Sequence, residues 1–379
     1  MILVKLEMKL PLSFSSLISG KEDLQKLAFE ADAVDKLYNH LQKGPLPPKR
    51  LEGILLGLAD LCSKVESCRS RFLSLQVLNV VVDALTHNSA NVRSAACFCL
   101  RCVSRSIKNL SAGHFMNEKI VVPLVRLLSD LSASVQVAAL GAISNIVVDF
   151  TPRKPMFIQC GGVKELVLLS KSMDSTIRLN TLRALRNLVF LADQMCKQGV
   201  FMELTASSFA SLICDPESSV QEQALALVRN LVDGCIDSLE YVMADDAIIL
   251  DAVGRQLQNA SKDEIGIQGM YVFSNVASGN EFHKEAVMKQ LLLQTDNQTH
   301  SFMIKFLQSS NSQLRTAAIW VLVNLTFPSS PGALSRVVKL RNSGVVPQIK
   351  RMVNDPCMDV KLRVRTALGQ FMTFGDGSM

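Results

Sequence analysis

Five asparagines, Asn145, Asn187, Asn230, Asn275 and Asn324, recur at spacings of 42, 43, 45 and 49 residues, and each closes the same phrase opened by an aliphatic side chain. A primary amide carries one acceptor and two donors, so such a row offers hydrogen bonds rather than bond-making chemistry. Arg183, Arg186 and Arg229 stand at matching offsets inside these phrases. Their guanidinium forks can grip a carboxylate through two parallel bonds. Tyr271 and Trp320, the only tryptophan of the sequence, take the position four residues before the asparagine. Their flat rings give contact area at little entropic cost. Amides for a backbone, forks for a carboxylate and rings for apolar side chains together suit an extended peptide, best of all an acidic tail or the free carboxyl end of a partner.

Bond-making chemistry finds no counterpart. The sequence contains no GxxxxGK[ST], GxSxG or HExxH. The five histidines, at 40, 87, 114, 283 and 300, are scattered, and His283 in Glu281-Phe-His-Lys-Glu285 reads as a solvated helix start. Cys97, Cys99 and Cys102 fall in one helix, where positions two apart diverge by about 200°, so the trio cannot close on a metal. Buried free thiols in a reducing compartment are the expectation for the ten cysteines. The protein is expected to be no enzyme, with no catalytic residue, metal or cofactor.

The phrase continues without Asn from Arg50 to Asp60, Val92 to Cys102 and Val360 to Gln370, making eight copies at a period of about 44 residues. That period predicts an all-α armadillo-repeat array, a right-handed superhelical solenoid whose inner wall binds partners. Each unit resolves into a short helix, a second helix and a longer third helix. Glycine corners at Gly162, Gly199 and Gly344 precede the second helices, and polar links rich in Ser and Asp cap the third. At 100° per residue, offsets −8, −4, −1 and +3 share the face of the ladder residue. The candidate partner-binding residues on that face are Trp320, Asn324, Tyr271, Asn275, Gln370, Arg229, Asn230, Arg186, Asn187 and Arg183.

Residues 1–20 read as an irregular segment, 21–374 as about eight units with the first incomplete, and 375–379 as a short tail. Lys21 to Gln42 reads as one amphipathic helix, and Gln294 to Ser301 as a polar loop. An apolar opening helix predicts that a longer array has been shortened here. A net charge of +6 without a basic run of five argues against nucleic acid as a partner. No apolar run approaches the ~20 residues of a membrane span, and the charged first ten residues lack a signal-peptide core, so an intracellular, soluble protein is expected.

Trp320 and Asn324 are similar to the Trp/Asn pairs of karyopherin-α proteins, which hold localisation peptides. In those proteins the pair repeats among acidic residues, whereas here it occurs once beside arginines. The runs Trp320-Val-Leu-Val-Asn-Leu-Thr-Phe-Pro-Ser-Ser-Pro-Gly332, Gly344-Val-Val-Pro-Gln-Ile-Lys350, Val353-Asn-Asp-Pro-Cys357, Asp359-Val-Lys-Leu-Arg-Val-Arg365 and Phe374-Gly-Asp376 resemble the C-terminal end of the armadillo repeat-containing protein 8 family. The resemblance implies a scaffold subunit of the GID/CTLH ubiquitin ligase complex, cytoplasmic and nuclear, serving proteasomal degradation. Its C-terminal wall would hold the tail of a substrate receptor, with RING-type catalytic subunits on other chains. It further implies Trp320, Asn324 and Gln370 as tail contacts, flanked by Tyr271 and Asn275. A karyopherin-α-like or catenin-like peptide adaptor is the alternative.

Overall fold

Aliphatic runs broken by Gly, Pro and Ser/Asp clusters fold here into helices grouped in threes. In the computed structural model, residues 11–149, 153–292 and 302–375 are described. They divide into two compact units, Met1–Gly199 and Val200–Met379.

In the first unit α1 (Pro11–Ile18) precedes four triads. These are α2 (Glu22–Glu30), α3 (Ala33–Leu41) and α4 (Pro48–Lys64), then α5 (Glu66–Ser74), α6 (Val77–Ala84) and α7 (Ala90–Val103). The next two are α8 (Ile107–Ser111), α9 (Glu118–Leu127) and α10 (Ala133–Ile146), then α11 (Lys154–Gln159), α12 (Gly162–Leu169) and α13 (Ser175–Val189). The third helices α4, α7, α10 and α13 pack side by side in that order, with α1 against α4. Such stacking buries Leu55, Leu58, Cys99, Leu140, Ile143, Leu182 and Leu185 in one apolar seam.

α14 (Gln194–Glu203) leads into the triads of the second unit. They continue with α15 (Ala206–Ile213) and α16 (Ser218–Val232), then α17 (Ile236–Gln258) and α18 (Asp263–Ala277). Beyond these come α19 (Glu281–Leu292), α20 (Phe302–Leu307) and α21 (Ser312–Leu325), then α22 (Ala333–Asn342), α23 (Val345–Arg351) and α24 (Met358–Thr373). Here α16, α18, α21 and α24 form the corresponding row. α17 supplies both outer helices of its triad, broken at Ala244–Ala247, where Asp245, Asp246 and Ala247 hold φ of 48°, 57° and 61°.

Several expectations need correction. The segment 1–20 is not irregular throughout, because α1 buries Phe14 and Ile18 against α4. Lys21 to Gln42 is two helices rather than one. Asp32 turns left-handed (φ 58°), folding α3 back so that Ala28, Val34 and Leu37 are all buried, while Leu27 is left 52% exposed. The corner expected at Gly162 is made by Gly161 (φ 77°), and Gly162 opens α12, whereas Gly344 (φ 78°) makes its expected corner. Gly199 does not, since it lies within α14 and an added Cβ would stand 2.9 Å from Ile158; Thr205, capping Ser208 N–H, makes that corner instead. The Gln294–Ser301 loop and most of the 375–379 tail lie outside the described residues.

Charged clamps join successive triads. Arg93 grips Asp130 through both carboxylate oxygens (2.8 and 3.0 Å) and donates to the carbonyls of His87 and Asn88. Arg315 repeats this with Asp355 (2.8 and 2.8 Å) and the carbonyls of Ser309 and Ser310. Each arginine ties the link before its own third helix to the link of the next triad, and each aspartate also accepts the N–H two residues on. Arg336 is fully buried; it donates to Leu325 O (2.7 Å), Glu281 (2.8 Å), Glu285 (3.1 Å) and Ser330 Oγ (2.5 Å). Glu281 also accepts from Ser330 and from Gly332 N–H, so the Phe327–Gly332 link is pinned to the preceding triad.

Candidate functional site: the ladder face

The asparagines sit in the last turn of their helices, half-buried, and four of them turn the amide toward the preceding triad. Asn145 Nδ2 donates to Arg101 O (2.8 Å) and Asn187 Nδ2 to Ser144 O (2.7 Å). In the second unit Asn275 Nδ2 reaches Arg229 O (3.2 Å), and Asn324 Nδ2 reaches Ser274 O (2.8 Å) with Ser274 Oγ at 3.1 Å. In every case the acceptor belongs to the residue just before the ladder position of the previous third helix. The amide nitrogen therefore ties neighbouring repeats together, and the Oδ1 acceptor is the part left for a ligand on Asn145, Asn275 and Asn324. Asn187 lacks even that, because its Oδ1 takes Arg186 Nε (3.1 Å) and Nη2 (2.9 Å).

Positions without Asn follow other chemistry. Asp60 cannot donate, and instead accepts from Ser15 Oγ (2.6 Å) and Ser19 Oγ (3.0 Å) of the α1 segment. Burial pushes its carboxyl up from the usual range, and the two serines pull it part of the way back. Thr326 Oγ1 stands 2.9 Å from the Gln370 amide and 2.8 Å from Leu322 O, so its single proton serves one of the two.

The −1 and −4 rows meet across the seam between repeats. Arg101 lies against Gly141, where an added Cβ would be 3.1 Å from its side chain. In the second unit the same offsets place the Arg229 guanidinium over the Tyr271 ring, 4.5 Å from its centroid. Arg229 Nη1 also donates to Gln268 Oε1 (3.2 Å), which holds the fork in place. Trp320 is half-buried and carries Arg363 at 4.6 Å from its centroid. Arg363 is anchored through Asp359 (3.0 Å), while its Nε is buried without a partner. Such stacked pairs contribute about 0.5–2 kcal/mol each.

Of the ten candidates, Arg229, Tyr271 and Asn275 come together on adjacent helices of the second unit, as do Trp320 and Asn324 on α21. Asn230 and Gln370 are half-buried on the same row of helices. Arg183, Arg186 and Asn187 lie in the first unit, with Arg183 exposed and Arg186 spent on Asn187. Sequence offsets miss Gln268 and Arg363. Both stand seven residues before a ladder position, which is only about 20° from it at 100° per residue.

Two expectations about titratable groups resolve differently. His283 is not solvated: it is 1% exposed, trades bonds with Asn280 at the start of α19 and has its basicity lowered by burial. Cys97, Cys99 and Cys102 are buried as expected, and burial pushes Cys97 up to about 12 and Cys102 to about 11, so they stay thiols. Among the described residues no group of three His, Cys, Asp or Glu is placed to hold a metal, and no helix is long and apolar enough to cross a membrane.

Helices in threes and stacked third helices, four of them tied by an asparagine to the one before, define an armadillo-repeat fold. The armadillo/beta-catenin-like repeat family matches residues 116–148 and 151–190. Over most of its length the chain is similar to armadillo repeat-containing protein 8 and to GID complex subunit 5. It is 28% identical over 315 residues to the former from Danio rerio, covering 83% of this chain and 46% of that protein. It is 26% identical to the latter from Schizosaccharomyces pombe, covering 84% and 46%. The chain thus spans about half the length of the curated relatives it matches. Among solved structures an engineered protein superposes with a TM-score of 0.79 over 94% of this chain and 82% of its own, at 20% identity. A designed armadillo repeat protein in complex with the peptide (KR)4 does so at 0.58 over 66% and 99%, at 19% identity. Both likenesses concern the fold.

Proposed function

We propose that the protein is a non-catalytic scaffold of a GID/CTLH-type ubiquitin ligase, cytoplasmic and nuclear, that holds the C-terminal tail of a substrate-receptor subunit on the ladder face of its second unit. The observation that carries this reading is kinship with GID complex subunit 5 over 84% of the chain. The local chemistry supports it. Asn275 and Asn324 present acceptors for backbone N–H groups, and Arg229 and Arg363 stack on aromatic rings of the same face, steadied by Gln268 and by Asp359. Acidic side chains or a terminal carboxylate complement that surface. A Lys/Arg-rich peptide, such as a karyopherin-like adaptor takes, would meet like charge.

The test is titration of synthetic receptor-tail peptides against the wild type and two variants. Trp320→Ala removes a half-buried ring, so we expect about 1–2 kcal/mol of lost stability, below the ~3–5 of a fully buried one, and at least tenfold weaker tail binding. Arg229→Glu should weaken the same peptides and flatten their salt dependence. Tighter capture of basic peptides than of acidic tails by the wild type would give the adaptor reading the field. Global unfolding of Trp320→Ala would make that ring core rather than site.

A further inference from the structure

A second surface lies apart from the ladder face, where the outer helices α17 and α19 of the second unit enclose a cleft of about 510 Å³. Its apolar part is made by Met243, Leu250 and Phe282, and Phe282 is 64% exposed although it is the largest side chain there. Its polar part is acidic, with Asp246, Asp251 and Glu285 facing one ammonium, Lys289. Two of those carboxylates are already engaged, Asp251 by Gln290 and Glu285 by Arg336 and Lys339. The Asp246 carboxylate has no side-chain hydrogen bond or ion pair among the described residues. It is carried to the rim by the left-handed break of α17, a backbone conformation that Asp and Ala adopt only at a cost. The cleft lies in an acidic stretch of the chain, with Asp237, Glu240 and Asp245 also on α17 and Glu281 also on α19, so its charge calls for a cationic partner.

We propose that this cleft is a docking surface for a partner segment in which a lysine or arginine neighbours a large apolar side chain. The apolar side chain packs on Phe282 and the half-buried Met243, and the cation pairs with Asp246. The inference is independent of the tail-binding reading, because none of the cleft residues belongs to the ladder face.

Random dodecapeptides displayed on phage, selected on the full-length protein and counter-selected on Phe282→Ser, test it directly. Enriched sequences should place Lys or Arg beside Leu, Ile, Met or Phe. As synthetic peptides they should bind at least tenfold more weakly to Phe282→Ser and severalfold more weakly to Asp246→Lys. Lys289→Glu should tighten them severalfold, and Trp320→Ala should leave them unchanged. All three cleft positions are exposed, so melting curves should match the wild type and separate lost docking from lost folding. Enrichment of acidic sequences, or of none that distinguishes Phe282→Ser, would overturn the proposal. So would self-association by light scattering that Phe282→Ser abolishes, which would assign the cleft to a second copy of the protein.

Discussion

Replacing Arg336 by methionine tests how the link behind the Trp320 helix is held. The substitution keeps the side chain's apolar length and deletes the guanidinium, whose donors serve Leu325 O, Glu281, Glu285 and Ser330. Losing one partner of a buried pair costs about 3–5 kcal/mol. Here the acids are 38% and 46% exposed and recover hydration, which lowers the electrostatic share. The orphaned Leu325 carbonyl adds about 1–3 kcal/mol. A net loss of about 3 kcal/mol follows, equivalent to roughly 6–12 °C in a unit of this size.

A pH signature accompanies it. The Arg336 guanidinium, helped by Ser330 and Gly332, holds the Glu281 carboxyl down at about 2. A depressed carboxylate stabilises the fold above its unfolded value, and that contribution disappears as pH falls toward the folded one. The full drop corresponds to roughly 3 kcal/mol at about 1.4 per tenfold. Exposure of Glu281 reduces this to about 1 kcal/mol. Urea denaturation of wild type and Arg336→Met between pH 6 and pH 2.5 should show the gap between them narrowing by that amount. A variant as stable as wild type at pH 6, or a Glu281 carboxyl that titrates in the ordinary range by carbon NMR, would refute the reasoning.

Asn324→Ala should cost about 1 kcal/mol by chemical denaturation, and Asn324→Asp more, since a carboxylate would face the Ser274 carbonyl in place of the donated N–H. Lys154→Met should destabilise the first unit, because the buried ammonium donates to Leu188 O (3.1 Å) and Phe190 O (2.6 Å). Burial lowers the basicity of Lys154, so wild-type stability should rise with pH just below the ordinary lysine range, a slope absent from the variant. Arg315→Lys should behave as a damaging change, losing about 1–2 kcal/mol in thermal melts, because a single ammonium cannot span both oxygens of Asp355 and two carbonyls.

The third helices are legible in the sequence because their phrase repeats eight times, and their ladder residues follow from one helical offset. Corners are less legible. Asp32 and Gln76 adopt the same left-handed turn that glycine makes at 161 and 344, so a search for glycine misses them and settles on Gly199, which serves close packing. Buried basic residues recur on the first helices, with Arg69, Lys154, Lys197 and Lys284 ahead of Arg336, but the acidic partners of Arg336 lie 51 and 55 residues upstream, so no local pattern announces that pairing. His283 reads as polar and exposed because its helix-start context is polar, yet Asn280 and the neighbouring helices enclose it. On the ladder face the residue types are legible, but their pairing is not: nothing in the sequence shows that Arg229 of one repeat stacks on Tyr271 of the next.

That pairing has an evolutionary corollary. Since Arg229 and Tyr271 come from different repeats, as do Arg363 and Trp320, each stacked pair is a joint property of two modules. Duplicating, deleting or exchanging one module rewrites the pairs on both of its flanks at once, so the chemistry of this face can change in a single genetic event while every module keeps its own core.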